Sequence, residues 1–344
     1  MSPKVVVAIL NFNTRNFLEK FLPSVWHTDY PNFDVVVIDN ASTDDSVEYL
    51  KTHQPKVRIV QLSKNFGFAK GYNEGLKDIQ GDYFVLLNTD VEVTPGWMNP
   101  IIQHMELDIR VAASMPKILS YKEGHYFEYA GASGGFIDRF GYPFCRGRVF
   151  GECEKDDGQY NSIREVFWAS GAAMFVRSKV WKEMNGLDGD FFAHMEEIDF
   201  CWRLKNKGYK VTCVPDARVY HVGGGTLTRE SPRKTRLNFR NALITIIKNM
   251  SMGELIWKLP IKFLLDGLAG IRFLFLGHWG DTIAIIQAHF LFYAGLPYWI
   301  SKRKETRTKL NPNKSGIYKG SIVWTYFIRK KNHFSQIEAQ ITKR

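Results

Sequence analysis

The chain has 344 residues, 45% of them hydrophobic and 14% aromatic, with a net charge of +11. That is enough apolar material for a large core and one big domain with an appendage, which excludes a disordered or fibrous chain. The four cysteines, Cys145, Cys153, Cys201 and Cys213, form no CxxC pair and are too few to staple this length, pointing to a reducing compartment and away from zinc. From Ser301 onward there are 12 Lys/Arg against 2 acidic residues, so the basic character belongs to the tail, suits an acidic surface and makes no case for a nucleic-acid partner.

Met1 to Lys4 run into Val5–Leu10, too short for the apolar stretch of a signal peptide, so these residues read as a buried strand of a cytoplasmic domain. Asn11-Phe12-Asn13 then turns into a helix from about Arg15 to His27, with Phe17, Leu18, Phe21, Leu22 and Val25 at helical spacing. A second strand, Val35–Ile38, ends in Asp39-Asn40-Ala41-Ser42. After a helix through about His53, a third strand, Val57–Leu62, leads to Asn65–Gly75, a loop entering a helix whose free N–H groups suit a phosphate. Its glycines 67, 71 and 75 do not make the G-x-G-x-x-G of a dinucleotide fold.

The fourth strand, Tyr83–Leu87, breaks into Asn88-Thr89-Asp90. A carboxylate at that edge is either a ligand for a hard divalent cation held against a diphosphate or an N-cap. Strand and helix alternate over these ninety residues, which predicts a parallel sheet whose C-terminal edge binds the ligand. Glycines and aromatics through 120–165 read as strands and loops over a cleft, and Trp168–Ala172 returns to the sheet.

VVVAILNFN, VVVIDNASTD, NFGFAKGYNEG and LLNTDVEVTPGW, in this order, resemble the nucleotide-sugar domain of family 2 glycosyltransferases. The later WASGAAMFVRSKVWKEMNGLDGDFFAHMEEIDFCWRLKNKGYK and PDARVYHVGGGT resemble that family's acceptor-side motifs. The likeness spans about Lys4 to Thr226 and is nearest to bacterial rhamnosyltransferase-like enzymes of cell-surface polysaccharide. It implies the α/β fold called GT-A over residues 1–230, a mostly parallel central sheet flanked by helices, with a C-terminal helical appendage over 231–344.

The resemblance also implies roles. Asp39 matches the carboxylate that bonds the donor's pyrimidine, within a donor-binding set of Asn11, Asn13, Asp39, Asn40, Ser42, Asn65, Gly67, Phe68, Asn73, Asn88 and Thr89. Asp90 matches the second acid of a D-x-D metal motif whose first acid is here Asn88, and His221 matches the histidine that completes a site for Mn²⁺ or Mg²⁺. Glu197 stands where the family has its catalytic Asp, one methylene longer. Trp168, Gly171, Glu196 and Asp199 fall on the acceptor side, although Trp168 also reads as core, Glu196 and Asp199 as structural, and Arg203 as Asp199's intrahelical ion-pair partner.

Beyond Thr226, a basic helix is expected over Pro232–Met250, and Leu255–Ile300 is apolar with few charges. Only Thr282–Ser301 is free of Asp, Glu, Lys and Arg for the length of a bilayer span, and Gln287, His289, Gly295 and Pro297 count against a span. A helical pair lying in the membrane interface is expected, with Lys302, Arg303, Lys304, Arg307 and Lys309 on anionic headgroups; a soluble helical subdomain or a homodimer interface stays open.

The reading that results is a metal-dependent inverting glycosyltransferase, peripheral on the inner face of the cytoplasmic membrane. It would move a hexose-type sugar from a nucleotide diphosphate donor to a glycan or lipid-linked glycan acceptor. The altered D-x-D and Glu-Asp motifs leave open an idle module that binds nucleotide sugar or scaffolds polysaccharide assembly.

Overall fold

The computed structural model describes residues 2–223, 231–306 and 312–343. The apolar runs become parallel strands, buried on both faces except at the edge strand β3, which is why the inner ones read as continuous rather than alternating. These are β1 (Val5–Asn11), β2 (Phe33–Asp39), β3 (Arg58–Gln61) and β4 (Tyr83–Asn88), in spatial order β3-β2-β1-β4. Between them lie α1 (Arg15–Trp26), α2 (Ser46–His53) and α3 (Gly67–Leu76). On α1, Leu18, Phe21, Leu22 and Val25 face the core as their spacing requires.

The second half departs from a mostly parallel pattern. After β5 (Val91–Val93), α4 (Met98–Leu107) and β6 (Val111–Ser120), the chain leaves the main sheet for a small one. That sheet is built from β7 (Gly135–Asp138), β8 (Pro143–Cys145), β9 (Arg148–Val149) and β10 (Glu152–Cys153). It returns as β11 (Arg164–Val166) and β12 (Ala173–Arg177), and β12 slots antiparallel between β4 and β6. No crossover helix lies between β6 and β11, so the chain re-enters from the edge at which β6 left and both β11 and β12 run against β6. The short α5 (Ser178–Glu183) and α6 (Glu196–Asn206) follow, and β13 (Lys210–His221) lies parallel to β6 and antiparallel to β5.

α7 (Pro232–Asn249) begins at Ser231, whose side chain accepts from the Lys234 N–H, and α8 (Met252–Phe275) begins in a Ser251/Glu254 capping box. α9 (Trp279–Ala294) and α10 (Leu296–Thr306) meet at a 64° bend, and no single described helix is long and apolar enough to cross a membrane. The tail then returns: β14 (Ile317–Tyr318) pairs parallel with β7, and α11 (Ile322–Phe327) starts where the Ile322 N–H donates to Asp138 Oδ2 at 2.9 Å. Among the described residues the expected appendage over 231–344 is not helical throughout: its long helices run over 232–306, and after residue 312 the chain adds β14 to the small sheet.

Two of the tail cations expected at a lipid surface turn inward. Lys302 pairs with Asp188 at 2.6 Å and with Asp190, and Arg303 is buried, donating to the carbonyls of Ile247 and, at 2.7 Å, Met250. The carboxylates that hold Lys302 are invisible in a local reading because they lie more than a hundred residues upstream. The Lys304 side chain, Arg307 and Lys309 lie outside the described residues.

Candidate active site

Parallel register brings three strand ends to one edge of the sheet, with Asn11 opposite Asp39 and Leu10 opposite Asn88. The Asn11 amide donates to Asp39 Oδ1 and to Ser42 Oγ, both at 2.9 Å, and its oxygen accepts from the Thr14 hydroxyl at 2.6 Å. The Ser42 N–H donates to Asp39 Oδ2 at 3.2 Å. Asp39 is therefore a buried carboxylate locked in orientation, with lone pairs left over to accept from a ligand. Asn13, left-handed at φ 54°, accepts from the Thr43 N–H at 2.7 Å and shapes the same loop.

Other expected donor contacts are consumed inside the protein. Asn40 is buried, accepts from the Phe66 N–H at 2.9 Å and donates to Asn65 Oδ1 at 3.0 Å, clamping β2 to the start of α3. Asn73 spends its amide on the Leu187 backbone in both directions, 2.6 and 3.0 Å. The amides at the start of α3 are not free either: Gly67 donates to Asn65 Oδ1 at 2.8 Å, and Phe68 and Ala69 donate to the Phe192 carbonyl at 2.6 and 3.4 Å. A phosphate cradle there is overturned by this carbonyl, which takes the place an anion would have.

Asp90 and His221 meet through strand pairing. Val91 of β5 lies opposite His221, which sets His221 Nε2 3.1 Å from Asp90 Oδ1, both residues buried. Behind the ring, Nδ1 lies 3.2 Å from Glu128 Oε2, an ion-pair contact that is not aligned as a hydrogen bond. Burial would lower the His221 pKa, but the hydrogen bond to Asp90 and the negative charges of Glu128 and Asp90 raise it to about 10. Burial likewise opposes ionisation of Asp90, and His221 holds its pKa below the usual carboxylate value. Glu128 escaped the sequence reading because it sits in the glycine-rich stretch with no spacing relation to either partner.

Among the described residues no three His, Cys, Asp or Glu side chains surround a common point. The Asp90–His221 pair nonetheless suits a hard divalent ion: two cis ligands of an octahedral ion at about 2.1 Å stand about 3 Å apart. Such ions bind through one or two protein ligands and complete their shell with substrate phosphates and water. Glu128, behind the imidazole, stands where an outer carboxylate would face a ligating histidine. The Thr89 side chain is buried beside Asp90, and Gly224, Gly225 and Thr226 lie outside the described residues.

The opposite wall is the start of α6. Phe192, His194 and Met195 all have positive φ (61°, 71° and 72°), a strained run that surrounding contacts must hold. Asn241 of α7, fully buried, does so by donating to the carbonyls of Phe191, Ala193 and His194 at 3.0, 3.0 and 2.8 Å. Asn241→Ala is expected to cost about 1–3 kcal/mol by orphaning these carbonyls, and to slow turnover more than it weakens donor binding. Urea midpoints, calorimetry and single-turnover rates check this; a folded variant with parental turnover refutes it.

This strained run delivers Glu196 and Glu197. Glu196 is buried and Glu197 half-buried, and each has a buried Oε2 without a protein partner. Burial raises both pKa values, that of Glu197 to about 7, and the charge on Glu197 adds to the rise at Glu196. A Cβ added at Gly171 would lie 3.2 Å from Phe68 Cζ and 3.9 Å from Glu197 Cβ, and the next residue, Ala172, accepts from the Asn88 N–H at 3.0 Å. Glu197 thus lies beside the end of β4.

Two acceptor-side residues prove structural. Trp168 is buried, donating its indole N–H to the Phe136 carbonyl at 2.9 Å. Asp199 is a buried hub that accepts from Arg203 at 2.9 Å, Lys248 at 2.8 Å and Asn249 at 2.8 Å, tying α6 to α7. The cavity of ≈ 470 Å³ lined by Lys4, Phe33, Lys56 and Arg58 opens at the other end of these strands, away from the carboxylates.

The profile of glycosyl transferase family 2 matches residues 6–144, and that of glycosyl transferase family group 2 matches residues 83–302. An N-acetylglucosaminyl-diphospho-decaprenol L-rhamnosyltransferase of Mycobacterium tuberculosis is 23% identical over 79% of this chain and 92% of its own length. The low-salt glycan biosynthesis hexosyltransferase Agl10 of Haloferax volcanii is 22% identical over 70% of this chain and 76% of its own. Among solved structures, GalNAc-T7 with UDP, GalNAc and Mn²⁺ superposes with a TM-score of 0.55 at 15% identity, covering 72% of this chain and 48% of that one. TarS 1–349 of S. aureus with UDP gives 0.53 at 14% identity, covering 88% and 87%. These two likenesses support a GT-A fold.

Proposed function

The chain belongs to glycosyl transferase family 2, and from that premise we propose that it transfers a hexose-type sugar, with inversion, from a nucleotide diphosphate donor to a lipid-linked glycan. The observation that carries the reading is the convergence of the locked Asp39, the Asp90–His221 pair and the Glu197 carboxyl, whose Oε2 has no partner among the described residues, on the strand ends of β2, β4 and β13. A relative named for rhamnosyl transfer to N-acetylglucosaminyl-diphospho-decaprenol supports the lipid-linked acceptor; a place in cell-surface polysaccharide assembly, peripheral on the inner face of the cytoplasmic membrane, is part of the same proposal.

In this reading Asp39, held by Asn11 and Ser42, accepts from the imide N–H of the donor's pyrimidine. Asp90 and His221 would hold Mn²⁺ or Mg²⁺, His221 giving up the proton that Asp90 and Glu128 keep on it in the metal-free protein. When bound, the ion offsets negative charge on the departing diphosphate. Glu197 removes the proton of the acceptor hydroxyl as that oxygen bonds to the anomeric carbon and the bond from carbon to diphosphate oxygen breaks. One displacement with one base, and no second nucleophile in the proposal, gives inversion.

The base works only when ionised, and burial sets its pKa near 7. With donor saturating, single-turnover transfer should rise about tenfold per pH unit up to about 7 and level off above it. A profile flat from pH 5 to 8 would remove Glu197 from this role.

A further inference from the structure

Helix α8 is inside out. Its buried stripe carries Lys258, Lys262 and Asp266, while Leu264, Leu268, Ile271 and Phe275, at the spacing of one helical face, are 64, 52, 52 and 86% exposed. The charges are not stranded. Lys262 pairs with Asp266, which accepts from the Tyr142 hydroxyl at 2.8 Å and lies 3.3 Å from His289 Nε2 of α9, and Lys258 pairs with Glu254 at 2.7 Å. α9 repeats the outer spacing with Trp279, Ile283, Ile286 and Phe290, between 54 and 72% exposed.

A chain folding in water alone would turn these stripes round. Each outer residue left in water forgoes stabilisation that a Leu or Phe gains on burial, and two adjoining helices forgo it together.

We propose that the outer face of α8 and α9 docks into the interfacial layer of a lipid bilayer, lying along it. The charge around the face selects this occupant. The acids of the two helices, Glu254, Asp266 and Asp281, are engaged by Lys258, by Lys262 and by the Thr235 hydroxyl, and although the paired Glu254 side chain is 40% exposed, the exposed arginines beside the face among the described residues, Arg139, Arg233 and Arg272, are cationic. A ring of arginine around an uncharged apolar field matches phosphate headgroups over acyl chains. A two-fold dimer through the same face would set the patch and its arginines against their own copies. Trp257, under Arg139 at 4.9 Å, and Trp279 supply side chains suited to the headgroup level. This places the anchor on the apolar face rather than on Lys302 and Arg303, which are spent internally.

The face is also next to the reaction. Gly280 of α9 abuts Pro232, and the adjoining Arg233 stacks 5.4 Å over Phe192, in the run before Glu197. Docking therefore presents the acceptor side of the site to the bilayer, and this orientation alone rests on the lipid-linked acceptor proposed above.

The test is co-sedimentation of the full chain with phosphatidylcholine vesicles, with and without added phosphatidylglycerol, at low and high salt, beside calorimetry with nucleotide diphosphate. The parent should bind both vesicles, more tightly with phosphatidylglycerol, and keep most binding to phosphatidylcholine at high salt. Leu268→Ser with Phe275→Ser should cut partition on the order of a hundredfold while leaving nucleotide affinity unchanged. Ile286→Ser with Phe290→Ser on α9 should do the same and serves if the first pair fails to fold. Arg272→Gln should lower only the preference for phosphatidylglycerol, about fivefold. No binding by the parent, binding abolished by salt alone, or serine variants that merely split a dimer would each overturn the proposal. None of those outcomes bears on sugar transfer, and loss of nucleotide binding in a vesicle-bound parent would count against transfer alone.

Discussion

Asp90→Asn should abolish the Mn²⁺-dependent part of nucleotide diphosphate binding and leave the fold in place. Asn keeps the size and one carbonyl oxygen but removes the negative charge that balances the ion. Loss of an outer-shell partner alone costs about 10–100-fold in metal affinity, so loss of this ligand should cost more. Asn88 makes the effect larger, since the position that carries an acid in the D-x-D pattern is uncharged here and Asp90 is the only carboxylate proposed to touch the ion.

The same pair makes a pH control. The folded-state pKa of His221 is raised to about 10 from 6.5, so the stability it draws from Asp90 and Glu128 is full below about 6.5 and is lost as pH rises toward 10. Nucleotide affinity measured calorimetrically at pH 7.5, with Mn²⁺ and with chelator, decides the assignment. Equal affinity in variant and parent under Mn²⁺ would sink it.

Much of this site was legible because strand ends are short-range features. An apolar run that breaks into Asp39 or Asn88-Thr89-Asp90 declares where the sheet stops, and parallel register then gathers those ends without further information. What could not be read was which polar groups the protein spends on itself. Asn40 and Asn73 carry the same side chain as Asn11, yet their partners, Phe66 and Leu187, are set by packing of α3 against distant loops. The amides at the start of α3 looked available because the carbonyl that takes them, Phe192, arrives from more than a hundred residues away in a left-handed conformation.

The same limit applies to the tail. Hydropathy marked residues 255–301 as apolar, but it could not say that Lys258, Lys262 and Asp266 face in while leucines face out. Only the neighbours, Tyr142 and His289, decide that. Nor does β14 announce itself, since two residues have no period and their pairing with β7 is a tertiary fact.

Glu197→Gln should lower single-turnover transfer by on the order of 10² or more while leaving donor affinity intact, because the amide keeps shape and hydrogen bonding but cannot take a proton. The fold should tolerate it well. A glutamate whose folded pKa rises from 4.5 to about 7 binds more protons folded than unfolded between those values, so parent stability falls as pH rises through that window, and the Gln variant should lack that share of the fall. A melting temperature at pH 8 no lower than the parent's, joined to the rate loss, separates chemistry from misfolding. Glu196→Gln is the matched control: Glu196 lies deeper, where an acceptor hydroxyl reaches it less readily, and burial and the charge of Glu197 push its pKa up. Its loss should cost less in rate. Glu197→Asp restores the residue common at this position in the family, and partial activity is expected if the Phe192–Met195 run can close the one-methylene gap. Full activity in Glu197→Gln would move the base elsewhere, and a parent that binds donor yet never transfers across a broad acceptor panel would favour an idle scaffold over a transferase.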